Sequence, residues 1–319
     1  MYFPISGVTV NPLIPLMVSF GVSFFTSMGG VSGAFLLLPF QVSILGFTSP
    51  AVSPTNLVYN VVAIPSGIYR YVKEKRMAWP LALITIAGTL PGIFIGALIR
   101  IHYISDPGKF KFFMGLVLIY IGLRLILDLI PRKEVGKDKT NHLEKKFSEA
   151  ARKVRRQNNN QPPDFIPIET KELSLGKYVY SFYGETFSVN TVCLFSLAAI
   201  IGIIGGIYGI GGGAIIAPFL VAIFRLPVYT IAGAALLGTF VTSIAGILFY
   251  TLLAQFYQSA HGTIAPDWML GVIFGIGGFL GIYCGARLQK YMPPKVIKLI
   301  ICLIILFLAF RYIGDFLRK

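Results

Sequence analysis

Charge is what this chain has least of. Of its 319 residues only 13% are Asp, Glu, Lys or Arg, about half the usual share in soluble domains. None at all falls in the windows 12–69, 189–224 and 226–260. Surface helices cannot be kept in water on such windows, so a soluble domain is excluded and the chain reads as an all-α polytopic membrane protein. No Asp or Glu lies mid-span, which argues against a carboxylate proton relay or a carboxylate cation site inside the bilayer. Cysteine is scarce too: Cys193, Cys284 and Cys302 lack CxxC spacing and read as small buried hydrophobes rather than a disulfide or metal framework. No stretch fits GxxxxGK[ST], so ATP is not the direct drive and no cofactor is expected. The first apolar run has no basic leader and no small-residue cleavage pattern before the next, and reads as a mature span.

What charge there is has a pattern. The net charge is +15, and 12 of the 28 Lys and Arg lie between Arg132 and Lys177, interleaved with acids. That is how a cytoplasmic loop reads under the positive-inside rule, and no aromatic-basic motif accompanies it, so nucleic acid is not a partner. Within this loop "NHLEKKFSEAARKVRRQ" puts Leu143, Phe147, Ala150, Ala151 and Val154 on one helical face and Lys and Arg on the other. Such a helix lies on an anionic leaflet, or else is a solvated charged helix. "KYVYSFYGETFSV" alternates like a small strand pair around Gly184.

The chain repeats itself. Placing Gly30-Val31-Ser32-Gly33 on Gly209-Ile210-Gly211-Gly212 also puts Pro39-Phe40 on Pro218-Phe219, Leu57 on Leu236 and Gly67 on Gly246. After an insertion in the second copy, Trp79 falls on Trp268, Gly88, Gly92 and Gly96 on Gly277, Gly281 and Gly285, Pro107 on Pro294 and Arg124 on Arg311. Three parts follow: a first membrane repeat over 1–130, a cytoplasmic insert over 131–188, and a second membrane repeat over 189–319.

Each repeat holds five apolar segments, at 12–28, 33–47, 50–72, 79–101 and 108–130, then 190–208, 212–226, 229–254, 267–288 and 295–316. The second of each is short, about 21 Å of helix against about 30 Å of hydrocarbon, and pairs with the first as a hairpin. The number of crossings per repeat is then odd, which inverts the second copy. Charge agrees: "RYVKEKRMAW" and the link from Arg287 to Lys298 are basic, while "TLLAQFYQSAHGTIAPDW" has no Lys or Arg. Inversion puts the first two inside and the third outside, although Arg100, Lys109 and Lys111 then lie outside against the trend.

"GGVSGAFLLLPF" at 29–40 and "GIGGGAIIAPF" at 209–219 break the helices where a simple crossing gains nothing. Broken backbone is tolerated in a bilayer where protein or a water-lined cavity covers it. Each short helix starts with three or four N–H groups lacking intrahelical acceptors, at the positive end of the dipole. Two such ends brought together bind an anion without a buried lysine. The candidate site is therefore Ser32, Gly33, Gly211, Gly212 and Gly213, with Thr55, Asn56, Tyr59 and Asn60 on the third segment and Thr239, Thr242 and Ser243 on its twin. Interhelical hydrogen bonding is the competing role for the polar set, and close packing is the reading of Gly88-x3-Gly92-x3-Gly96 and its counterpart. Arg70 and Arg225, at segment ends, read as snorkelling side chains before substrate contacts.

The duplicated five-segment unit, the "GGVSG" and "GIGGG" breaks each followed by Pro-Phe, the stretch "SPTNLVYNVVAIPSGIYRY" and the Trp-led glycine segment resemble the TauE/SafE sulfite exporter family. The resemblance covers about 13–130 and 192–316 and leaves out the insert. It implies secondary transport of sulfite, an organosulfonate or a related sulfur-containing anion across the cytoplasmic membrane. A coupling ion, H+ or Na+, and a homo-oligomer are compatible with it, and the lipid bilayer is the surrounding partner. Two alternatives remain at this level. One is an anion channel. The other is an intramembrane serine protease, because Gly30-Val31-Ser32-Gly33 matches GxSG, although its base would have to come from His102, His142 or His261, all in predicted links or loops.

Overall fold

The computed structural model describes residues 1–28, 33–73, 75, 77–129, 167–182, 184–257, 262–288 and 294–317. The chain is mainly helical: α1 (Leu13–Met28), α2 (Ala34–Ser43), α3 (Val52–Ala63), α4 (Pro65–Lys73), α5 (Trp79–His102) and α6 (Pro107–Leu129), then α7 (Thr191–Tyr208), α8 (Gly213–Phe224), α9 (Val228–Phe256), α10 (Trp268–Leu288) and α11 (Pro294–Leu317). Four of these, within α5, α7, α9 and α10, are long and apolar enough to cross a membrane. Their ends follow local rules. Asn190 accepts from Cys193 N at 2.9 Å to cap α7, Asp267 accepts from Leu270 N at 3.1 Å at the start of α10, and Gly209 closes α7 at φ +79°.

The glycine runs are packing surfaces. A Cβ on Gly92 would stand 2.3 Å from Ala199 O and one on Gly96 2.2 Å from Ile203 O, so α5 lies backbone to backbone on α7. In the second copy Gly277, Gly281 and Gly285 do the same against Leu16, Phe20 and Phe24 of α1, at 2.2, 2.4 and 2.3 Å. Without a hydrophobic drive between helices in lipid, close approach of this kind is what holds them. In both pairs the contacts advance together, so the helices run parallel, and each joins the fourth segment of one repeat to the first of the other.

The fifth segments pair differently. Gly115 of α6 meets Ile313 of α11, Gly122 meets Leu306, and Phe112 stacks on Phe316 at 4.5 Å, so α6 and α11 are antiparallel. They also reach the short helices of the opposite repeat. Arg124 Nη2 donates to Pro218 O in α8 at 3.1 Å, and Tyr312 Oη donates to Pro39 O in α2 at 3.2 Å.

Two sequence readings differ from the structure here. The segment 50–72 is two helices, because Pro65 has no N–H to continue α3 and its ring disfavours the preceding turn. Cys193 is exposed and Cys284 half-buried, with only Cys302 buried. An apolar segment in a bilayer has a lipid face, so belonging to one does not bury a residue in protein. Trp79 and Trp268, equivalent in the repeat, are both about half exposed at the first turns of α5 and α10, as residues at a membrane boundary are.

In the insert, β4 (Tyr178–Phe182) and β5 (Glu185–Val189) form an antiparallel hairpin around Gly184 at φ +82°, and β3 (Glu169–Leu173) adds to the β4 edge. Tyr178, Tyr180 and Phe182 face inward, and Tyr180 Oη lies 2.9 Å from Thr230 Oγ1 at the start of α9. The stretch proposed as a surface helix lies outside the described residues. At the N-terminus β1 (Tyr2–Phe3) pairs with β2 (Val8–Thr9), and Ser6 N donates to Asp267 Oδ2 at 3.1 Å.

Candidate functional site

The second break is described throughout. Chain direction reverses over Gly209 and Gly211, at φ +79° and +77°, conformations an L side chain rarely adopts. Gly212 then caps α8, with its N–H donating to Thr242 Oγ1 at 3.2 Å. The backbone here has no room for a side chain: a Cβ on Gly213 would lie 2.2 Å from Ala235 O, and one on Gly212 2.6 Å from Thr89 Cβ. Thr89 is near the middle of α5, so α8 begins at mid-depth in the bundle. Ser32 and the rest of the first break, 29–32, lie outside the described residues. Gly33, its last residue, is buried as the cap of α2, with Tyr59 Oη 2.7 Å from where its Cβ would stand. Tyr59 packs on Gly278 near the middle of α10, so α2 also begins at mid-depth.

One face of α3 runs along the second break. Ser53 Cα would be 2.5 Å from a Cβ on Gly209. Asn56 Nδ2 donates to Gly209 O at 2.8 Å and to Ala34 O at 3.1 Å, and accepts from Gln41 Nε2 on Oδ1 at 3.2 Å. One turn on, Asn60 Nδ2 donates to Ile210 O at 2.9 Å and to Ser243 Oγ at 3.2 Å. In this conformation the two amides therefore satisfy carbonyls that the break leaves open. A buried carbonyl without a donor costs about 1 to 3 kcal/mol. Two acceptor atoms here, Asn60 Oδ1 and Gln41 Oε1, are buried with no partner among the described residues.

The remaining candidate residues divide. Thr239, Thr242 and Ser243 line the break from α9, where the two threonines also bond back to Ala235 O and Gly238 O. Tyr59 turns toward the first break, with its hydroxyl 2.8 Å from Ser23 Oγ. Thr55 faces away, accepting from Asp267 N at 2.8 Å. Of the histidines, His102 stands exposed at the end of α5 with Nδ1 2.9 Å from Tyr257 Oη, and His142 and His261 lie outside the described residues. Arg225 ends α8 in the left-handed region at φ +53°.

Sequence reasoning passed over Arg100, which it counted only as a charge on the wrong side. It has no exposed surface. Its Nη1 donates to Ile104 O, its Nε lies 3.4 Å from Ser53 Oγ, and the Phe110 ring covers the guanidinium at 3.7 Å. Nη2 is buried without a partner among the described residues. An arginine within a span costs about 3 kcal/mol at the helix centre and less toward the ends, so a buried one is expected to have a purpose. The signal was available: an arginine closing an otherwise apolar 24-residue helix.

The sequence profile of the Sulfite exporter TauE/SafE family matches residues 16–312. The chain belongs to the TauE/SafE sulfite exporter family. It is similar to the probable membrane transporter protein YunE of Bacillus subtilis (strain 168), with 23% identity over 300 residues, 91% of this chain and 92% of that one. No solved structure matches it significantly. As a member of the TauE/SafE family the chain is a multi-pass membrane transporter, and the glycine breaks and the α3 face lie within the matched region.

Proposed function

We propose that this TauE/SafE protein is a secondary transporter, not an enzyme, that moves sulfite, an organosulfonate or a related sulfur-containing anion across the cytoplasmic membrane. Access alternates at the interface of two inverted repeats. The observation that carries this reading is that Asn56 is bonded at once to the start of α2, at Ala34 O, and to the second break, at Gly209 O. A helix start is a ready anion site, and a broken helix is where transporters place one.

Inversion is supported by the antiparallel pairing of α6 and α11. These are equivalent segments, so the two-fold relating them is perpendicular to their axes. For helices that cross a bilayer, such an axis lies in the membrane plane. The 131–188 insert and the "RYVKEKR" link then share the cytoplasmic side.

In the mechanism, the anion is held by backbone N–H groups at the starts of α2 and α8. The amides of Asn56 and Asn60 exchange their bonds to Gly209 O and Ile210 O for bonds to substrate oxygens as the break rearranges. Substrate and carbonyls are alternative acceptors for the same donors, so binding and movement of the break are coupled. A coupling ion, H+ or Na+, would use neutral oxygens, of which Gln41 Oε1 and Asn60 Oδ1 are free of partners among the described residues.

The test is a thermal-stability screen of the purified protein against sulfite, sulfate, thiosulfate and short sulfonates. A ligand that prefers the folded state raises Tm with concentration. Stabilisation by at least one sulfur anion, saturating with dose, is expected, and no response to any of them contradicts the reading.

A further inference from the structure

We propose that Arg100 is the cation of an oxyanion site beside the second helix break, distinct from the helix starts at mid-depth. It rests on the transporter reading and adds a residue and a step to it. Arg100 is buried, no carboxylate bonds to it among the described residues, and its two engaged nitrogens use neutral acceptors, Ile104 O and Ser53 Oγ. Among the described residues the charge thus has no counter-charge, and Nη2 has no acceptor. A guanidinium offers donors in a planar fork that suits an oxyanion. Phe110 closes one face of the plane, which leaves the Nη2 edge to meet a ligand.

The position gives the site a role. Ser53 bonds Arg100 on one side and on the other lies 3.4 Å from Ile207 O and abuts Gly209. The Tyr250 hydroxyl of α9 reaches Gly206 O at 3.4 Å. An anion on Nη2 is therefore one residue from the break that Asn56 and Asn60 hold. The order Ser53, Asn56, Asn60 along α3 forms a ladder of donors leading from the guanidinium to mid-depth. Arg100 is the station at which the anion loses its water before it reaches the helix starts.

The experiment is sulfite binding to purified protein in lipid-free detergent, read as the dose-dependent rise in Tm, for the wild type, Arg100→Gln, Arg100→Lys and Ser53→Ala. Adding anionic phospholipid in place of sulfite separates a headgroup from a free anion. Loss of the charge-assisted bond should weaken sulfite binding roughly ten- to hundredfold in Arg100→Gln. Arg100→Lys, which keeps the charge and loses the fork, should be intermediate, and Ser53→Ala should lose a few-fold. If Arg100→Gln does not fold, Arg100→Lys and Ser53→Ala carry the test. Unchanged sulfite affinity in the folded variants overturns the Arg100 site and leaves the transporter reading standing. Stabilisation of the wild type by phospholipid and not by sulfite overturns the free-anion site. A wild type that no sulfur anion stabilises overturns both.

Discussion

Asn56 Nδ2 lies 2.8 Å from Gly209 O, and the same nitrogen lies 3.1 Å from Ala34 O, so one side chain on α3 ties the second break to the start of the first short helix. Asn56→Leu is close in volume and removes both bonds. One orphaned carbonyl, Gly209 O, at about 1 to 3 kcal/mol predicts a fall in Tm of the purified protein together with loss of transport. An Asn56→Leu protein as stable as wild type would mean that water already satisfies this carbonyl.

Gly212 is helical at φ −62°, so only space forbids a side chain there, and the obstruction is Thr89 at 2.6 Å. Gly212→Ala should destabilise by about 1 to 3 kcal/mol through overpacking. Thr89→Gly removes the obstructing atoms, so the double variant should recover part of that loss despite the roughly 1 kcal/mol that glycine costs a helix. The coupling is measured by a double-mutant cycle on Tm. Simple additivity would place the strain elsewhere.

The same geometry explains how much of the site could be read beforehand. Glycines four apart fall on one helix face, so the packing role of Gly88, Gly92 and Gly96 needs only the helical period. Asn56 and Asn60 share a face for the same reason. Ser53 and Arg100 meet only because of the register between α3 and α5, and no local pattern encodes that register. Thr55 was grouped with Asn56 by proximity in sequence, yet neighbouring helical positions point different ways, and it bonds at Asp267. β3 was missed because all of its residues are exposed, so it has no alternation to detect.

Burial on the sheet raises the phenol pKa of Tyr180, against a smaller opposite effect of its bond to Thr230, and burial raises that of Tyr178 as well. The folded state then favours the neutral phenols. Their contribution is whole below the ordinary value near 10.0 and is lost as pH rises above it, because the unfolded chain ionises first. Tm should therefore fall above about pH 10, and Tyr180→Phe should flatten that fall while costing about 0.5 to 1.5 kcal/mol at neutral pH. An identical alkaline slope in the variant would assign the loss to other groups.

Topology gives a prediction independent of binding. A single cysteine at Ser259 should react with a membrane-impermeant reagent added to intact cells, and one at Lys75 only after the cells are opened. The reverse pattern would orient the chain the other way, and labelling of both from one side would contradict inverted repeats.

The most direct measurement of the central claim is flux. Purified protein is reconstituted into liposomes, and uptake of radiolabelled sulfite is followed with and without unlabelled sulfite inside. Uptake that saturates, accelerates with sulfite on the far side, and is lost in Gly212→Val but kept in Cys284→Ala is the predicted result. Sulfur-anion uptake no faster than in empty liposomes, or flux that rises linearly with concentration and shows no acceleration, would contradict an alternating carrier.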